Sequence, residues 1–211
     1  MDGTLFQTDT ILEIALDDTF EHLRTMDKWN TTTPIDTYRE IMGVPLPVVW
    51  ETLLPAHSNE ERESTDAYFL DSLLGAIRNG KGALYPHVNE VFRFLKEKGC
   101  SIYIASNGLT EYLEAIVSHY KLDNWVTETF SIQQIDSGNK SDLVQSIKKK
   151  YGITNGAVVG DRLSDINAAK DNGLLAIGCN FDFAQVDELA QADLVIDDLI
   201  ELKAIVNRLA N

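Results

Sequence analysis

Apolar positions along this chain recur with two different rhythms. Over residues 11–24, Ile11, Ile14, Ala15, Phe20 and Leu23 fall roughly on one helical stripe, which predicts an amphipathic helix. A Thr-rich break from Thr31 to Pro34 interrupts the pattern, and Thr33 ahead of Pro34 reads as the next helix start. Pro45, Pro47 and Pro55 bound a short helix carrying Val48, Val49, Trp50, Leu53 and Leu54. Residues 58–79 form a longer helix, with Ser58 as its cap and Asn79-Gly80 as its stop.

After residue 80 short apolar runs alternate with amphipathic stretches. A helix near 87–98 ends at Gly99 and feeds the run 101–105; a helix near 110–120 leads to a short segment at 127–132. Then come a helix at 141–150, the run 157–159, a helix at 164–172, the run 174–177, a helix near 184–190, a strand at 194–196 and a last helix. This alternation implies a parallel sheet covered on both faces. The expected fold class is α/β, with a Rossmann-like parallel core formed by residues 1–10 and 81–211. A helical insertion would occupy residues 11–80.

Composition narrows the class. The 211 residues hold 33 acidic and 18 basic side chains, a net charge of −15. Such a charge opposes docking on nucleic acid or anionic lipid, so neither is an expected partner. Two cysteines, Cys100 and Cys179, with no C-x-x-C spacing, point to neither a disulfide framework nor a zinc cluster. No apolar run is long enough to span a bilayer, and the expected location is cytoplasmic. The first 80 residues carry 15 acidic residues against five basic ones, Arg24, Lys28, Arg39, Arg62 and Arg78. Each of the five reads more naturally as surface charge than as a reader of a substrate anion.

Candidate chemistry lies where open parallel sheets collect it, at the carboxyl ends of strands. Ser106-Asn107-Gly108 follows a strand and opens a helix, so a hydroxyl and backbone N–H groups can face an anion. Lys140, before a helix, supplies a compact charge suited to a phosphoryl group. Asp161 and Asp165 sit on a strand-to-helix turn, and oxygen ligands there suit Mg²⁺. Asp2, followed by the turn-former Gly3, can act as acid or base. Taken singly, each has an ordinary reading as a solvated carboxylate, a turn, a surface lysine or a helix cap. Their shared placement at strand ends, inside one α/β rhythm, favours a phosphoryl-transfer site.

The order Asp2-Gly3-Thr4-Leu5, then Ser106-Asn107-Gly108, then Lys140, then Gly160-Asp161-Arg162-Leu163-Ser164-Asp165 resembles the haloacid dehalogenase-like (HAD) phosphatase superfamily. The resemblance covers nearly the whole chain and is greatest to its phosphoglycolate phosphatase-like members. Residues 11–80 resemble that superfamily's helical cap, and Tyr85-Pro86-His87-Val88 resembles its re-entry into the core. The resemblance implies a Mg²⁺-dependent phosphomonoester hydrolase acting on a small phosphorylated metabolite. Asp2 would be the general acid/base, with its main-chain carbonyl on the metal. Ser106, Asn107 and Gly108 would bind phosphoryl oxygens, Lys140 would neutralise charge, and Asp161 and Asp165 would hold Mg²⁺. Arg162 stands at a variable position and receives no catalytic role.

The superfamily pattern is an apolar strand followed by D-x-D-G-T, whose first Asp is the nucleophile. Met1 stands at the x, so the nucleophile is expected one residue ahead of it, together with the strand that leads there. The polypeptide as written is accordingly expected to show little or no phosphatase activity. Two other readings follow from the same residues: a binding or regulatory protein on a catalytically dead HAD fold, and a phosphomutase or pyrophosphatase of the same superfamily.

Overall fold

The computed structural model describes residues 1–41, 46–182 and 184–209, which separate into two compact units. One comprises Met1–Gln7 with Ala83–Asn211, the other Thr8–Gly82.

The second unit is helical: α1 (Asp9–Thr25), α2 (Ile35–Glu40), α3 (Leu46–Leu53) and α4 (Asn59–Arg78). The buried face of α1 is Ile11, Ala15, Leu16, Thr19, Phe20 and Leu23, whereas Ile14 is 46% exposed. The expected stripe was therefore misplaced at one edge. Steps of four from Ile11 to Leu23 define the inward row, Leu16 and Phe20 flank it, and Ile14 lies on its far side. Thr19 tolerates full burial because its hydroxyl donates to the Ala15 carbonyl at 2.7 Å. In α3, Trp50 is buried edge-on against Phe69, and its indole N–H donates to Asp66 at 2.6 Å. Pro45, read as one boundary of this helix, lies outside the described residues, and Leu54 falls just beyond the helix end.

Helix α4 begins in a capping box. The Ser58 hydroxyl accepts from the Glu61 N–H, and the Glu61 carboxylate accepts from the Ser58 N–H at 3.0 Å. Ser58→Ala removes one half of this exchange and is expected to cost about 1 kcal/mol, read as a lower urea midpoint with an unchanged slope. The basic side chains here are largely committed. Arg24 pairs with Glu21 at 3.3 Å, Lys28 with Glu61 at 3.1 Å and Arg39 with Glu13 at 2.5 Å. Arg62 donates to the carbonyls of Leu54 and Pro55.

The other unit alternates helices and strands: α5 (Val88–Glu97), β1 (Tyr103–Ser106), α6 (Thr110–His119), β2 (Glu128–Ser131), α7 (Lys140–Tyr151), β3 (Ala157–Gly160), α8 (Leu163–Asp171), β4 (Leu175–Cys179), α9 (Val186–Leu189), β5 (Leu194–Ile196) and α10 (Leu202–Leu209). All strand pairs are parallel, as expected for an α/β core, but the ladders form two sheets. β1 pairs with β2 from Tyr103–Glu128 to Ser106–Ser131, and β3, β4 and β5 pair in that order. Phe130, Leu143 and Ile147 form one buried cluster, and Ile166, Ala169 and Ala176 another. Both use the helix face that follows a strand to cover that strand's own sheet, which is what short apolar runs buried on two sides require.

Residues 1–7 are folded into this unit by a tight turn. The Met1 carbonyl accepts from the N–H groups of Leu5 (2.8 Å) and Phe6 (3.1 Å), and Gly3 has φ +66°. Gln7 N–H donates to Ala83, Tyr85 N–H donates to Leu5, and Phe6 is fully buried against Tyr120. The turn is thereby clasped by the segment that leads into α5.

Candidate functional site

Two clusters of polar groups meet through Asp2-Gly3-Thr4. The first is built on Asp161, the residue after β3. It is buried at 4% exposure, and the Thr4 hydroxyl donates to its Oδ1 at 2.8 Å across 157 residues of sequence. Gly3 lies so close that a Cβ on it would fall 2.3 Å from Asp161 Oδ2, so this position needs glycine both for its positive φ and for the approach. Four residues on, Asp165 occupies the first turn of α8. Lys140 Nζ, from the first residue of α7, donates to Asp165 Oδ1 at 2.7 Å, and the Arg162 N–H donates to Oδ2 at 3.1 Å. The two charged side chains are only 10% and 11% exposed, so this is a nearly buried ion pair.

Electrostatics follow from that packing. Burial pushes the Asp161 carboxyl above the usual carboxylate range; the Thr4 hydrogen bond opposes the rise and the nearby Asp165 adds to it. Burial likewise pushes the Cys179 thiol up, and Asp161 and Asp165 add to that rise. The region thus sets two buried carboxylates, Asp161 and Asp165, against one lysine. Arg162 stays out of the cluster: its guanidinium pairs with Glu188 at 3.1 Å, and Glu188 also accepts from the Leu163 N–H at 2.8 Å. Glu188 thus clamps the start of α8, a role without a local sequence signal.

The second cluster surrounds the end of β1. Ser106 is buried, and its Oγ accepts from the Gly108 N–H at 3.1 Å. Asn107 is exposed at the tip of the loop. Ser131, from the paired end of β2, donates to the Gly108 carbonyl at 2.7 Å, and Gln133 accepts from the Thr110 N–H at the start of α6. A Cβ on Gly108 would meet Tyr112 Cδ1 and Leu113 Cδ2 at 3.1 Å. The Tyr112 hydroxyl in turn donates to Asp2 Oδ1 at 2.6 Å.

Six of the seven residues read as site candidates are therefore held in one of two linked clusters, Lys140, Asp161 and Asp165 in one and Asp2, Ser106 and Gly108 in the other, while Asn107 stands exposed at the loop tip. Thr4, Tyr112, Ser131 and Glu188 were not singled out in the sequence. Among the described residues no group of three His, Cys, Asp or Glu side chains is gathered as a ready metal site. Asp2 is turned towards Tyr112 and Asp165 towards Lys140. The donors that are present nevertheless fit a hard cation. Asp161 is a desolvated carboxylate whose charge is costly without a counter-ion, and its neighbours offer oxygen.

A parallel α/β unit with strand-end carboxylates, a buried lysine and a helix N-terminus defines a protein built for polar chemistry at one end of its sheets. The chain belongs to the haloacid dehalogenase-like hydrolase family, whose model matches residues 1–173. It is 24% identical over 161 residues to a phosphoglycolate phosphatase of Mannheimia succiniciproducens, covering 74% of this chain and 70% of that one. It is 26% identical over 149 residues to a phosphoglycolate phosphatase of Haemophilus influenzae, covering 68% of this chain and 64% of that one. In fold it is similar to the crystal structure of a predicted phosphoglycolate phosphatase from Haemophilus somnus, with a TM-score of 0.83 at 19% identity, covering 98% and 95% of the two chains. No described helix is long and apolar enough to cross a membrane.

Proposed function

We propose that this protein is a Mg²⁺-dependent phosphomonoester hydrolase acting on a small phosphorylated metabolite through an aspartyl-phosphate. The observation that carries the reading is the Thr4–Asp161 and Lys140–Asp165 cluster packed against Asp2-Gly3. Phosphoryl transfer demands positioning and charge neutralisation, and these residues supply both. Ser106 Oγ and the backbone around Asn107 and Gly108 bind phosphoryl oxygens. Lys140 neutralises charge developing on the transferring group. In the family pattern the attacking carboxylate stands two residues before the position that Asp2 occupies. Asp2 protonates the leaving oxygen and then takes a proton from the water that cleaves the acyl phosphate. Asp161 and the Asp2 main-chain carbonyl would hold Mg²⁺, with Asp165 assisting directly or through water; bound there, the cation supplies Lewis-acid neutralisation of phosphoryl charge. The helical unit Thr8–Gly82 takes the part of the family's cap.

The test is inorganic phosphate release from a panel of esters, phosphoglycolate first because the matched relatives carry that name. Measurements run with Mg²⁺ and with EDTA, on the chain preceded by an apolar strand ending in Asp or, as control, in Asn. Release with Asp and Mg²⁺ alone is expected. Release with neither, alongside a Mg²⁺-dependent rise in melting temperature, would favour a binding protein. Turnover of a sugar phosphate without free phosphate would favour a mutase.

A further inference from the structure

Tyr112 lies 110 residues from Asp2 in sequence, yet its hydroxyl reaches that carboxylate at 2.6 Å from the first turn of α6. Its ring is buried, at 7% exposure, and is wedged beneath Gly108, where even a Cβ would come within 3.1 Å of it. Gly108 is itself pinned through its carbonyl by the buried Ser131. One side chain thus connects the loop that would bind phosphoryl oxygens to the carboxyl that would serve as acid and base.

We infer that Tyr112 is a positioning residue for Asp2, setting the plane of the proton-transferring carboxyl relative to the Ser106–Gly108 loop. The inference rests on the hydrolase reading and adds a residue to it. A carboxyl on a short, single-stem side chain can rotate about two bonds. A donor fixed by a buried ring selects one of those orientations, and general acid catalysis falls steeply when the proton is misaimed. Tyr112 reaches Asp2 through a neutral hydroxyl, so it orients without adding a charge to a region already crowded with carboxylates. Because the ring and not the hydroxyl fills the space under Gly108, removing the hydroxyl alone separates orientation from packing.

The experiment is Tyr112→Phe in the chain preceded by an apolar strand ending in Asp, assayed with Mg²⁺ on two esters. An alkyl phosphate needs a proton on its leaving oxygen, whereas p-nitrophenyl phosphate does not. The expected result is a fall of about 10- to 100-fold in kcat/KM for the alkyl ester, a ratio that reports formation of the aspartyl-phosphate and not the later attack of water common to both esters. The change in the same ratio for the nitrophenyl ester should stay below about threefold. Equal losses on both esters, or no loss on either, would overturn the inference, since a general structural role makes no distinction between leaving groups. If the parent protein turns over neither ester, the hydrolase reading fails on its own. Tyr112 is then judged by the ¹³C carboxyl resonance of Asp2, which is expected to shift and broaden in Tyr112→Phe; an unmoved resonance would overturn the positioning role.

Discussion

Replacing Lys140 by methionine is expected to destabilise the chain by about 3 kcal/mol, the low end of what removing one partner of a buried ion pair costs. The substitution keeps the length and apolar stem of lysine, so the loss is electrostatic. Asp165 retains the Arg162 N–H, which moderates the effect. It loses its ion-pair partner, however, while Asp161 stays buried nearby with its own charge raised in cost by Asp165. A second change, Asp165→Asn, removes the stranded charge and is expected to recover most of the lost stability without recovering phosphate release. Urea titrations of the two single variants and the double variant measure this as a coupling energy. A double variant no more stable than Lys140→Met would show that the pair carries no such strain.

Asp161→Asn is expected to move stability and chemistry in opposite directions. The asparagine can still accept the Thr4 hydrogen bond, but it brings no buried charge. In the metal-free chain a rise in Tm of roughly 2–4 °C is expected at neutral pH, the shift that about 1 kcal/mol produces at this size. The pH dependence has a definite sign. A carboxyl whose proton is held more tightly in the folded state favours folding in acid, and that contribution is lost as pH rises through its folded-state pKa. The advantage of the asparagine should therefore be seen at neutral pH and fade towards about pH 4. With Mg²⁺ the order reverses: the parent chain should gain stability and the variant should not, and phosphate release should fall by about a thousandfold or more. Calorimetry across pH, with and without Mg²⁺, checks the stability statements, and phosphate assays on the chain preceded by an apolar strand ending in Asp check the last.

Residues that act through their own neighbours were legible in the sequence. Ser58 and Glu61 sit three apart, so their capping box could be read at one end, and the strand-end motifs of β1 and β3 stand out because polar residues abruptly follow apolar runs. Boundaries shifted by a residue or two where hydrogen bonding, not polarity, ends an element: β1 starts at Tyr103 and β4 runs on to Cys179. What stayed hidden was pairing at a distance. Nothing local to 101–106 or 157–160 shows that these strands belong to separate ladders. Thr4 sits in a motif that was recognised, but its hydroxyl acquires a purpose only when Asp161 arrives. Tyr112 reads as one more apolar position on an amphipathic helix, and its hydroxyl gains meaning only through the fold. Ile14 was misread for a simpler reason: a wide inward face on α1 tolerates several stripes, and the neighbouring helices choose among them.

The clasp between residues 1–7 and the segment beginning at Ala83 has a consequence for how the molecule is made. A ribosome releases the first residues long before their partners: Thr4 leaves the exit tunnel more than 150 residues ahead of Asp161, with the whole of Thr8–Gly82 made in between. That intervening stretch has its own buried core and local helix contacts, the kind that form early, whereas the Thr4–Asp161 pairing closes one of the longest loops in the chain. Nascent protein should therefore carry a folded helical segment with a loose leader. The strand-end site would be completed only once Asp161 has emerged and the Thr4 pairing can close.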